Sequence, residues 1–198
     1  MSKEQVVVIQ QNKPEDVLLG IRNYGPKFCY KTAAGVPSAI EPGGVGIVDV
    51  NTFKRVIQPS FAWDQGHLMR DDSVLSDEDI KAEDFDRPVN HFTDDEINKL
   101  VKNEGKATKT VDSLTSPLTL QRIHEAASKI RPRRNRNIMD ACDQRVFLMK
   151  NKLPNDFFEK SGDFYRALIS ERGLPIETSG AETTDELMDK IVVYYSEE

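Results

Sequence analysis

DQGHLMRDDSVLSDEDIKAEDFDRPVNHFTDDE, residues 64–96, divides this chain in two. It carries twelve acidic residues against three basic ones, Arg70, Lys81 and Arg87. Its apolar residues are scattered: Leu68, Met69, Val74, Leu75, Ile80, Phe85, Val89 and Phe92. Before it the apolar residues alternate as in strands, and after it they recur at helical spacing. So little apolar surface does not offset the entropy of ordering the segment on its own. The pattern therefore predicts an α+β protein in four parts. A small N-terminal antiparallel β-sandwich or barrel spans 1–57, an extended acidic arm 58–92, a helical region with a basic loop 93–150, and a helix–extended loop–helix 151–198.

Upstream, short β-branched or aromatic runs are separated by Gly and Pro turn chemistry. The runs are Val6–Ile9, Val17–Ile21, Phe28–Lys31, Ala39–Ile40 and Ile47–Val50. Asn51-Thr52 is placed to cap one helical turn before Pro59. Phe61-Ala62-Trp63 reads either as a plug at the sheet's open edge or as an anchor for a partner. Ile21-Arg22-Asn23, then Gly25-Pro26-Lys27, then Ile40-Glu41-Pro42-Gly43-Gly44 before a valine-rich strand, resembles a small β-module of tailed-phage structural proteins. The resemblance covers about a quarter of the chain. It implies a virion component, made in the host cytoplasm, that docks in multiple copies on other structural proteins.

Downstream, Thr93-Asp94-Asp95-Glu96 is a capping box opening a helix to about Asn103. Residues 105–115 are polar and read as loop. Ser116-Pro117 starts a second helix that ends before Pro132, and a third is expected from Asn137 to Lys150. Ser161 and Gly173 bound a fourth. Thr183-Thr184-Asp185-Glu186 opens a fifth with another capping box. Arg172-Gly173-Leu174-Pro175 and Glu186-Leu187-Met188-Asp189-Lys190-Ile191 resemble the linker and second helix of the HeH, LEM and SAP group. The fifth helix opens with Thr-Thr-Asp-Glu where that group's phosphate-binding start has Gly-x-Lys.

Composition narrows the chemistry. A net charge of −6 argues against a wholesale nucleic-acid coat, yet residues 99–136 carry ten Lys or Arg against three acids. Within them Arg131-Pro132-Arg133-Arg134-Asn135-Arg136 concentrates four arginines, suited to carboxylates or phosphates. Docking candidates are Phe61, Trp63, Asp71, Asp72, Asp77, Glu78 and Asp79, with Arg131, Arg133, Arg134 and Arg136 as a basic loop for protein or nucleic acid. Cys29 and Cys142 stand in no metal or redox spacing and read as small core residues. His67, His91 and His124 form no metal motif, and no nucleophile motif occurs. No signal peptide or apolar span is apparent, so the expectation is a soluble protein of a reducing compartment, in the virion or otherwise cytoplasmic. It is expected to be non-enzymatic, with no cofactor, no metal and no membrane partner. The leading expectation is a structural component of a large assembly. The alternative is a nucleic-acid-binding protein using the arginine loop and the C-terminal helix–loop–helix.

Overall fold

A six-residue strand, β1 (Leu18–Asn23), is the hinge of the N-terminal half. The structure, a computed structural model, describes residues 17–76, 78–79, 81 and 85–197. The strand expected at Val6–Ile9 and the docking candidate Asp77 lie outside the described residues. The chain divides into two compact units, Met1–Cys142 and Asp143–Glu198.

After β1 come β2 (Phe28–Lys31), β3 (Pro37–Ile40) and β4 (Val45–Asp49), separated by the turns expected of Gly25-Pro26, Gly35 and Pro42-Gly43. Next are α1 (Val50–Thr52), a π-helical turn at Phe53–Ile57, α2 (Phe61–Asp64) and β5 (Leu68–Arg70). Strand β1 lies between β4 and β5, antiparallel to both, with Leu19 opposite Val48 and Asn23 opposite Leu68. The hairpin β2–β3 forms a second sheet. Tyr30 and Ile40 from that hairpin share one core with Leu19, Ile21, Val48, Phe53, Ile57, Trp63 and Leu68.

No barrel closes among the described residues. Asn23 is fully buried at the end of β1. Its carboxamide accepts from Gly25 N (2.9 Å) and donates to Pro26 O (2.7 Å) and Ile40 O (2.9 Å). That side chain supplies the hydrogen bonds a continuing ladder would have made, so the chain turns out of the first sheet.

The acidic arm is not laid out as expected over residues 58–75. Leu68 and Met69 are buried in β5, the second partner of β1. The acids next to them become structural pairs. Asp71 binds Arg22 at 2.5 Å, and Asp72 binds Arg70 at 2.7 Å and accepts from Gly20 N at 2.9 Å. Gly20 has to be glycine: a Cβ there would lie 2.0 Å from the Asp71 carbonyl oxygen. Further on, Lys81 bridges to Leu18, and Phe85 packs on Phe53 at 4.8 Å between centroids.

The helices of the first unit are α3 (Asp94–Leu100), α4 (Glu104–Ser113), α5 (Pro117–Ile130) and α6 (Arg136–Lys150), the last continuing past residue 142. The Thr93 capping box and the Ser116 cap with Pro117 form as expected. Helix α4 replaces the polar loop expected at 105–115. Asn103 caps it by accepting from Lys106 N (3.1 Å), and Ala107 and Val111, four apart, are fully buried. Thr108 and Thr110 return their hydroxyls to carbonyls four residues back, which suits an exposed helix face.

Asn90 joins these layers. It is 1% exposed, and its amide donates to Asp64 O (3.0 Å) and Thr115 Oγ1 (2.9 Å) while its Oδ1 accepts from Thr115 N (3.0 Å). Its carbonyl oxygen accepts from Thr119 Oγ1 at 2.9 Å. Gly66, at φ +69°, passes so close that a Cβ would stand 2.6 Å from that oxygen.

In the second unit, the end of α6 leads through a 3-10 turn (Phe157–Glu159) to α7 (Gly162–Arg172), an extended loop and α8 (Thr184–Glu197). Leu148, Leu153, Phe157, Tyr165, Leu168, Ile169, Leu187, Ile191 and Tyr195 form its core. Tyr165 donates its hydroxyl to Phe157 O at 2.6 Å. Gly173 ends α7 at φ +60°, and Thr183 and Glu186 form the second capping box. Ser161 precedes α7 without a side-chain cap bond.

Replacing Asn90 with Ala removes the partners of Thr115 N and Asp64 O at a part-buried joint. The variant should lose about 1–2 kcal/mol of stability. Trp63, the only tryptophan and buried in this unit, supplies the reporter. Its fluorescence in a denaturant titration should show a lower midpoint.

Candidate docking surfaces

The residues singled out in the sequence separate into buried, paired and free groups. Trp63 is 5% exposed, edge-on to Phe53 at 4.9 Å and to His91 at 4.4 Å between centroids. It is the core plug, buried against Phe53 and His91 rather than presented on the surface. Phe61, two residues earlier, is 73% exposed. Ser60 caps α2 by accepting from Trp63 N (3.2 Å), so the buried tryptophan holds the turn that presents the phenylalanine.

Asp71 and Asp72 are committed to Arg22, Arg70 and Gly20. Asp79 folds back on Ser76, accepting from its N–H at 2.6 Å and its hydroxyl at 2.9 Å. Glu78 stays exposed. Cys29 is exposed on the outer face of β2, between the ring positions of Phe28 and Tyr30, whereas Cys142 is buried as expected.

A cleft of about 330 Å³ opens beside the plug. Trp63, Met69 and Phe85 line its apolar side, and Arg70, Asp72, Arg87, His91 and Thr93 its polar side. Its charges neutralise one another. Arg70 faces Asp72, and Arg87 binds Glu96 (2.7 Å from Nη1) and the His91 carbonyl oxygen. The Arg87 guanidinium and the Thr93 cap hold the Glu96 carboxyl down at about 2. His91 places Nε2 on the Trp63 carbonyl oxygen, so the neutral ring carries its proton there. Burial pushes the His91 pKa below its ordinary value and the nearby Arg87 adds to this, opposed by the Trp63 carbonyl. The Thr93 hydroxyl is spent on Glu96. The cleft can hold an apolar group, and the ionisable side chains of its described lining are engaged in the pairs above.

This chain matches no family model, no curated protein and no solved structure. Its function has to be read from its own surfaces.

Two further observations constrain that reading. Among the described residues no group of three or more His, Cys, Asp or Glu is placed to hold a metal ion. No helix among them is long and apolar enough to cross a membrane. The basic loop is a tight turn between α5 and α6, with Arg131, Arg133, Arg134 and Arg136 all exposed. Sequence reasoning had no access to the Asn90 joint or the cleft, because their residues come from segments far apart in the chain.

The ionisations set a pH dependence. Because folding lowers the His91 pKa, the unfolded chain binds its proton first, and stability is lost as the pH is lowered. That contribution is complete above 6.5 and is lost as pH drops through that value toward the folded one. Burial moves His67 the same way. Glu96 adds a second, separate loss between 4.5 and about 2. The denaturation midpoint followed by Trp63 should therefore decline in two stages, and His91→Gln should flatten the upper one.

Proposed function

We propose that this chain is a non-enzymatic structural component of a large protein assembly, of the kind found in tailed-phage virions. In this reading the two small sheets act as one sandwich-like module that docks on neighbouring subunits, and the stretch from residue 58 to 92 carries the contact point. The observation that carries it is Phe61, a large aromatic side chain 73% exposed on a turn fixed by a buried neighbour. A rigid aromatic anchor loses little entropy on docking and is the kind of residue that dominates interface energetics.

The sheet edges support the same role. Among the described residues β4 and β5 each pair on one side only, with β1. Such edges accept a strand from a neighbour, and in an isolated protein they invite aggregation. The cleft supports it too, since its ionisable groups are occupied in holding the fold rather than poised for proton transfer.

The test is sedimentation of the protein from its source after nuclease treatment. Wild type should travel with particles of many megadaltons. Phe61→Glu should move to the slow peak, with Trp63 fluorescence unchanged. Truncating an anchor of this type costs about 2 kcal/mol, or roughly thirtyfold in affinity. Wild-type protein in the slow peak, or normal incorporation of the variant, would refute the reading.

A further inference from the structure

Helix α6 opens against its own dipole. Its first turn contains no acidic residue, while Arg133, Arg134 and Arg136 crowd the end where the helix is already positive. Asp140 gives Arg136 only a loose pair at 3.8 Å, with the two side chains 81% and 58% exposed. Arg131, Arg133 and Arg134 have no ion pair among the described residues. An anion at this edge would relieve a conflict that the chain itself leaves standing.

The turn is fixed from within. Asn135 is 3% exposed and donates its amide to Ala127 O at 3.3 Å. Its N–H and that of Arg134 both donate to Arg131 O, at 2.8 and 3.0 Å. The guanidinium groups are thus presented without further backbone ordering. A second set of cations adjoins them. Asn137 Nδ2 donates to Glu104 Oε1 at 2.6 Å, which brings the start of α4 beside the start of α6. Lys102 and Lys106, both exposed, stand two residues either side of Glu104.

We propose that this edge binds the phosphate backbone of a nucleic acid, with Arg131, Arg133, Arg134 and Arg136 on phosphates and Lys102 and Lys106 extending the track. The surroundings favour nucleic acid over an acidic protein. Among the described residues the large exposed hydrophobics are Val36, Phe61, Val89 and Val193, and none lies on α3 to α6 or the turn between α5 and α6. Protein interfaces have an apolar centre, whereas nucleic-acid interfaces are polar and positive. No Phe, Tyr or Trp occurs from residue 93 to 146, so these segments supply no aromatic platform of the kind single-strand binders use. With the arginines assigned to phosphates, recognition is of backbone charge, without sequence preference.

The experiment is fluorescence anisotropy of short labelled duplex DNA with the purified full chain. Six phosphate contacts should make the affinity fall about 1,000-fold or more between about 50 and 200 mM salt. Removing three of them in R131A/R133A/R134A should flatten the log–log salt slope by about three, with Trp63 emission unchanged. Failure to bind at low salt, variant binding equal to wild type, or strong discrimination between sequences would overturn the proposal. So would self-association that the triple variant abolishes without any DNA binding, which would assign the edge to a second copy. Phe61→Glu should bind DNA as wild type does, so this result stands or falls separately from the assembly reading.

Discussion

The carboxamide of Asn90 is the constraint on which the first unit depends. One short side chain satisfies Asp64 O, Thr115 N and Thr115 Oγ1, while its own backbone oxygen takes the Thr119 hydroxyl. A buried amide is costly unless its groups are matched, and here they are matched by two segments about twenty-five residues away on either side. The joint fixes where the plug segment ends and where α5 begins. Gly66 follows from it, since only a residue without Cβ passes so near the Asn90 oxygen. Asn23 and Asn135 repeat the device at the end of β1 and at the basic turn. Three buried asparagines thus hold three of the places where the chain changes direction between elements.

Charge is distributed on the same logic. Acids of the divided stretch are spent at home: Asp71 on Arg22, Asp72 on Arg70, Asp94 on Arg122 and Glu96 on Arg87. Each half-exposed pair contributes modestly to stability. Their larger effect is to neutralise a segment that would otherwise repel itself and stay extended. Among the described residues Arg131, Arg133 and Arg134, between α5 and α6, receive no such partner, although the chain as a whole is acidic. Charge pairing among the described residues is therefore uneven, and these exposed arginines and the exposed Phe61 are the surfaces on which the two proposals rest.

Much of the local structure was legible. The turns between β1 and β4, both capping boxes, the Ser116-Pro117 start and the Gly173 stop are written in a few adjacent residues each. Helix α4 was not legible because Gly, Lys and Thr dominate it, and only Ala107 and Val111 mark a buried face. Strand β5 escaped because three residues beside an acidic pair give no period to read. The Phe61-Ala62-Trp63 cluster was legible as aromatic, but which ring turned inward was not. Cys29 shows the same limit: alternation along β2 assigns it a face, and only the packing of Tyr30 says which face is inside.

By itself, then, the sequence determined the elements whose signals lie within one turn of chain: caps, stops, turns and the segregation of strands from helices. Capping and turn chemistry act over three or four residues, so neighbours suffice to specify them. The tertiary structure alone decided which acids meet which arginines, that the divided stretch supplies β1 with its second partner, and that Asn90 is a joint rather than a surface polar residue. Those outcomes depend on hydrogen bonds and burial between positions far apart in the chain. No local pattern encodes them, because the cost of an unmatched buried group is set only when the layers close around it.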